Sequence, residues 1–155
     1  MITRDHAAYH EAGHAVAAAL LGMRIGRVTI RPEGETGGRV EIEPVDFQAA
    51  PVGDRVMVYL GGMWGASMNP TQGDPESSIQ GCGDDYRRAR ALVADLDDPG
   101  WDAYLRAQGH EFSDLVAGAS AERAVHALAG MLLEREELVV TTDIEAAKIL
   151  IRLHP

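Results

Sequence analysis

The chain has 155 residues, 46% of them apolar, a formal net charge of −10 and a single cysteine, Cys82. This suits one domain over residues 1–155 with a core that needs no staples; the acidic balance argues against nucleic-acid binding and against adhesion to an anionic membrane. One cysteine excludes an internal disulfide framework and fits a reducing cytoplasm.

Thr3 or Asp5 can cap a helix running to about Leu21, with Gly22 as its stop. Its apolar run, AVAAALLGM, is too short for membrane insertion, and MITRDHAAYH has no signal-type apolar region. IGRVTI and GGRVEIEP alternate apolar and polar residues, which predicts a hairpin across RPEGETGG; Pro44 limits the second strand and marks it as an edge. From Asp54, the spacing of Val56, Tyr59, Leu60, Met63, Trp64 and Ser67 predicts a second helix. MNPTQGDPESSIQGCG reads as a loop, long for a domain of this size. A third helix starts near Asp84, with Tyr86, Ala89, Val93 and Leu96 on one face, and DDPG ends it. WDAYLRAQ predicts a short helix. SAERAVHALAGMLLERE predicts a long one with Ala121, Ala124, Val125, Leu128 and Leu132 on its stripe. TTDIEAAKILIRL predicts the last helix, opened by a Thr142–Glu145 capping box. The expected fold is α+β and mostly helical: one helix, a small hairpin or sheet, then a helical bundle. No GxxxxGK[ST] phosphate loop is present.

The chemistry concentrates in AYHEAGHAVAAALLG, residues 8–22. His10 and His14 stand one helical turn apart, so their rings share a face and can grip one metal ion. Glu11 flanks them and can reach a water on that ion. This is HExxH logic: two zinc ligands and a general base. The bland alternative is two surface histidines. Gly13 weighs against it, because a mid-helix glycine costs about 1 kcal/mol relative to alanine. Close approach of another backbone beside the metal would explain that cost.

A catalytic zinc takes three protein ligands and keeps one position open. Asp74, Glu76, Asp84, Asp85, His110 and Glu122 are the candidates for the third, and spacing does not choose among them. Asp84 and Asp85 open a predicted helix, where Asp84 can cap while Asp85 points at the metal. His110 can donate to an oxyanion, but reads better as a surface histidine. Tyr9 reads as core, His126 as half-buried and structural, Cys82 as a passive loop residue, and Trp64 and Trp101 as core or interface anchors.

AAYHEAGHAVAAALLGMRIGRVTI closely resembles the start of the peptidase domain of the FtsH family of membrane-bound zinc proteases. LGGMWGASM, GCGDDYRRARALV and LAGMLLEREEL follow in the family's order with thinner likeness. The resemblance implies a largely helical fold, one zinc per chain held by His10, His14 and Asp85, and Glu11 as the base. It also implies unfolded polypeptide as substrate, threaded in by an attached ATPase ring. The ATPase module and the membrane helices are absent. Met63, Trp64, Gly65, Ala66 and Ser67 replace the family's Arg-Ala-Ala-Glu-Glu run. The expectation is therefore a stand-alone zinc metallopeptidase acting on peptides or polypeptides, ATP-independent or served by a separate ATPase or adaptor. The competing expectation is a metal-binding scaffold with a binding or regulatory role and little turnover. Within the predicted edge strand, Gly38, Arg39, Val40 and Glu41 are candidates to hold an extended substrate by strand addition. An ordinary blunted edge is the plain reading of the same residues.

Overall fold

The computed structural model describes residues 2–32, 37–71 and 82–155. Helix α1 spans Arg4–Leu20, strand β1 Ile25–Thr29, strand β2 Arg39–Ile42, and helices α2 and α3 Pro44–Ala49 and Val52–Ser67. Helices α4 (Gly83–Leu92), α5 (Asp98–Leu115) and α6 (Ala119–Arg135), strand β3 (Glu137–Val139) and helix α7 (Ile144–Ile151) complete the order. The fold is mostly helical α+β with one small antiparallel sheet, as expected.

The start of α1 follows from its cap. Thr3 Oγ1 accepts the amide of His6 at 3.1 Å, and Gly22, at φ +80°, ends the helix in a conformation that costs glycine nothing. From His6 to Ala19 every residue of α1 is buried. A helix so enclosed needs small side chains, and its alanines let α3, α6 and β1 close around it.

In the sheet, β1 is central, in the order β2-β1-β3. β2 pairs antiparallel with β1 through Val28↔Val40 and Thr29↔Arg39, so it is an edge, as Pro44 suggested. Pro44 does more than stop the strand: it sits in the first turn of α2, where its fixed φ and missing N–H suit a helix start. Strand β3 was not foreseen. Glu136 takes φ +62° at the end of α6, and this left-handed step turns ELV back along β1, with Leu138 beside Val28.

The buried face of α3 matches its predicted stripe only in part: Val56 is buried and Tyr59, Leu60 and Trp64 pack half-buried on the core. Met63 is 46% exposed, while Val56, Met57, Val58, Gly61, Gly62, Gly65 and Ala66 are buried. Hydrophobicity pointed to the bulky residues; proximity to α1 selected the small ones. A Cβ on Gly13 would lie 2.7 Å from the Cα of Gly65, and a Cβ on Gly61 would lie 2.7 Å from the Gly13 carbonyl oxygen. The two helices therefore meet backbone to backbone, which accounts for glycine in mid-helix at position 13.

DDPG starts a helix rather than ending one. Asp97 Oδ1 accepts the Gly100 amide at 2.7 Å, and the predicted short WDAYLRAQ helix is part of an 18-residue α5. Helix α4 stops at Leu92, and Trp101, Val93 and Ala89 form a second apolar cluster with Val56. The last helix is capped by Asp143, whose Oδ1 accepts from Ala146, and not by Thr142, whose hydroxyl donates to the Val139 carbonyl. No helix among the described residues is long and apolar enough to cross a membrane.

One surface tie fixes α2 to the end of α1. Asp46 accepts the Arg24 amide and two guanidinium N–H groups, each at 2.9 Å. The Arg24 side chain and backbone hold the Asp46 carboxyl down at about 2. A group lowered on folding stabilises above its unfolded pKa of about 3.9 and loses that contribution as pH falls. Asp46→Asn is thus expected to melt below wild type at pH 7, with the gap closing between about pH 4 and 2. Thermal melts across that range check it; a gap that persists unchanged at pH 2 would refute it.

Candidate metal centre

The centre lies where α1 crosses α3 and where α4 begins. His10 and His14 project from one face of α1, each 7% exposed. Asp85, in the first turn of α4, reaches between them. Its Oδ2 is 2.9 Å from His10 Nε2 and 3.0 Å from His14 Nε2, and the two Nε2 atoms are 3.0 Å apart. These three residues form a group that could hold a metal ion. Donor atoms on a tetrahedral zinc with bonds of about 2.0–2.1 Å stand about 3.3–3.4 Å apart. The triangle needs to open by only a few tenths of an ångström to accept it.

The second ring nitrogen of His14 decides what the first can do. Nδ1 lies 2.7 Å from the Val58 carbonyl, which can only accept, so Nδ1 carries the hydrogen. Nε2 then offers its lone pair to the centre, the arrangement that orients metal-binding histidines. Without a cation, that lone pair, the Asp85 carboxylate and His10 Nε2 need a proton among them. Burial opposes charge on His14, but the bond and charge of Asp85, with Glu11 and Val58, raise it to about 9. Burial and the charge of His14 lower His10. Asp85 resists its own burial: bonds from both imidazoles hold it well below the usual carboxylate range. A dication bound there would compete with protons for these same atoms.

Glu11 sits beside the triangle, 7% exposed. Burial, reinforced by the charge of Asp85, raises its carboxyl to about 7 against the pull of His14 and Arg88. Two glycines shape this space. A Cβ on Gly62 would come within 2.6 Å of Cε1 of both imidazoles, and one on Gly38 would lie 2.7 Å from Glu11 Cγ and 2.8 Å from the Thr29 carbonyl oxygen. Gly38 thus lets β2 pass directly over the glutamate. A cavity of about 1050 Å³ opens above, with Gly38, Arg39, Val40 and Glu41 along one wall and His10, Glu11, His14 and Asp85 at its base.

Of the other third-ligand candidates, Asp84 is exposed and pairs with Arg87. It does not cap α4: Cys82 is the N-cap residue, and its side chain makes no capping bond. His110 on α5 and Glu122 on α6 are exposed and outside the group. Asp74 and Glu76, with most of the predicted loop, lie outside the described residues. Tyr9 is buried and its hydroxyl meets Nδ1 of His126 at 3.0 Å; His126 itself is exposed, not half-buried. Trp101 is core, and Trp64 packs edge-on against Phe112 at 5.7 Å.

Of two further residues at the centre, His6 escaped the sequence reading and Cys82 was read there as a passive loop residue. His6, one turn before His10, is buried, stacks on the His10 ring at 5.9 Å and 19°, and lines the cavity. Its Nε2 has no hydrogen-bond partner among the described residues. The spacing HxxxHxxxH was the available signal. Cys82 is buried, with its sulfur 3.8 Å from His10 Nδ1; burial, with Asp85 adding, pushes its thiol up to about 11.

Comparison with protein-family models gave no match, and comparison with curated proteins gave none either.

The two aspartates separate cleanly by experiment. Asp85→Asn is expected to weaken metal binding by more than the roughly 10–100-fold that loss of an outer-sphere partner costs, while Asp84→Asn leaves it near wild type. Chelator competition on both variants measures this. Equal effects would remove Asp85 from the centre.

Proposed function

We propose that this protein is a zinc metallopeptidase that cleaves peptide bonds with Glu11 as general base. The observation that carries the reading is the convergence of His10 Nε2, His14 Nε2 and Asp85 Oδ2 within 3.0 Å beside a buried carboxylate. A purely structural site closes with four ligands and has no use for that neighbour.

Zinc, when bound, supplies Lewis acidity, polarising a carbonyl and lowering the pKa of water to about 7. The chain supplies the rest. Glu11 takes the proton of an attacking water and delivers it to the departing amine. Val58, through Nδ1 of His14, holds that imidazole with its lone pair inward. β2 offers a sheet edge along the cavity wall, on which an extended peptide can lie with Arg39, Val40 and Glu41 beside it. Gly38 keeps that edge close to Glu11.

The quoted residues support reading the chain as a relative of the FtsH peptidase domain. AYHEAGHAV and GCGDDY supply the same residue types as the metal-binding segments of that family. Unfolded polypeptide is the proposed substrate, delivered by diffusion or by a separate ATPase or adaptor. The single buried thiol fits a reducing compartment such as the cytoplasm.

Metal analysis of purified protein, paired with cleavage of an unfolded casein-like substrate, tests the reading. One zinc per chain and chelator-sensitive cleavage are expected, and His14→Ala should emerge with substoichiometric zinc. Two imidazoles and a carboxylate also suit ferrous iron, so recovery of iron without zinc would overturn the metal assignment. Zinc-loaded protein that cleaves nothing would favour the scaffold reading.

A further inference from the structure

The two metal-facing imidazoles are held from behind in different ways. Nδ1 of His14 has the Val58 carbonyl at 2.7 Å, an ordinary strong acceptor. Nδ1 of His10 has no carbonyl or carboxylate among the described residues. Its hydrogen-bond contact is Sγ of Cys82 at 3.8 Å. That sulfur lies three residues before Asp85, on the same turn of chain that opens α4. One turn therefore engages both nitrogens of one ring: Cys82 at Nδ1 and Asp85 at Nε2. His6 covers the ring face at 5.9 Å. The sulfur stands on the side of the ring away from the Nε2–Nε2–Oδ2 triangle, so it is not placed as a fourth ligand.

We propose that Cys82 is the positioning residue for His10, its sulfur accepting the Nδ1–H and so holding Nε2 toward the metal. The proposal rests on the metal-centre part of the function proposed above. An imidazole that binds metal through Nε2 carries its hydrogen on Nδ1, and that hydrogen needs an acceptor. Sulfur is a weak but large acceptor, and it reaches where an oxygen on the same short side chain would fall short. The role also explains why a buried cysteine stands at a helix start where Ser, Thr, Asp or Asn would cap better.

The test uses the whole chain loaded with zinc, comparing wild type, Cys82→Ala and Cys82→Val. Cys82→Val keeps the position filled with a slightly larger apolar side chain and removes the acceptor, so it stands in should alanine loosen the helix start. Zinc affinity is read by chelator competition, and the two imidazole N–H protons by NMR. Removing the acceptor should weaken zinc binding about 10–100-fold. It should also abolish the slowly exchanging Nδ1–H signal of His10 while that of His14, bonded to Val58, persists. Persistence of the His14 signal shows that the fold is intact. Unchanged affinity with an unchanged His10 signal would overturn the proposal. So would a thiolate charge-transfer band in the cobalt-loaded wild type that Cys82→Ala removes, because Cys82 would then be a ligand. Failure of wild type to take up zinc or cobalt would instead defeat the metal-centre reading beneath it.

Discussion

Glu11→Gln is expected to bind one zinc per chain and to lose peptidase activity by at least about 10²-fold, the usual worth of a positioned general base. The substitution keeps the shape that fills the space under Gly38 and leaves His10, His14 and Asp85 untouched. It removes the buried carboxylate beside the triangle, the group placed to take a proton and return it. Its effect on stability should go the other way or vanish. Glu11 is 7% exposed, and its burial opposes the charged form. A neutral amide of the same size avoids that cost. The expected protein is thus folded, metal-loaded and inactive. Cleavage of unfolded casein-like substrate, zinc content and a thermal melt measure the three properties separately. Retained cleavage would exclude Glu11 as the base, and lost zinc would mean that it acts on the metal instead.

Gly13→Ala carries the largest expected effect on the fold. Helix propensity alone favours alanine by about 1 kcal/mol. Packing opposes it, and packing should win. The added Cβ would meet the Cα of Gly65 at 2.7 Å and its amide nitrogen at 2.8 Å, and the Gly61 carbonyl oxygen closer still. These are backbone atoms of a second helix and cannot rotate away. Overpacking of a tight core typically costs about 1–3 kcal/mol, occasionally more. A backbone contact belongs at the upper end, so a net loss of about 2 kcal/mol is expected. In a domain of this size that is a fall of roughly 4–8 °C in Tm. Because His10 and His14 flank the contact and Gly62 backs both rings, forcing α3 away should also loosen the metal centre. Melting and zinc affinity of Gly13→Ala and Gly65→Ala should fall together. A rise in Tm for Gly13→Ala would show that propensity dominates and that the crossing is loose.

Much of the site was legible in the chain because its first part is local. His10, Glu11 and His14 lie within one helical turn and a fraction. A helix brings residues four apart onto one face whatever surrounds it. The helix itself was legible from Thr3, the alanines and Gly22, and the hairpin from alternation around its glycines. Gly13 announced a close approach, because nothing local repays its cost. Choosing Asp85 from six candidates required more than spacing, since a residue 75 positions away from His10 is brought beside it only by packing.

Tertiary structure decided the remainder. Which face of α3 turns inward depends on how near α1 comes, and glycines permit an approach that larger side chains forbid. Periodicity of bulky residues therefore found only part of that face: Val56 is buried and Tyr59, Leu60 and Trp64 pack half-buried, while Met63 and Ser67 face out. DDPG can stop one helix or start the next; Asp97 resolves it by accepting the Gly100 amide. The third strand is three residues long, too short for alternation to show, and exists because β1 offers a free edge when α6 ends at Glu136. The placement of Cys82 and His6 around His10 is likewise a product of docking. From the sequence alone, then, came the helical chemistry of His10, Glu11 and His14, because a helix is a local object with a fixed period. Everything that brings Asp85, Cys82, Gly38 and the glycines of α3 to that helix was settled by tertiary packing, because contacts between distant segments depend on which surfaces can approach closely enough to exclude water.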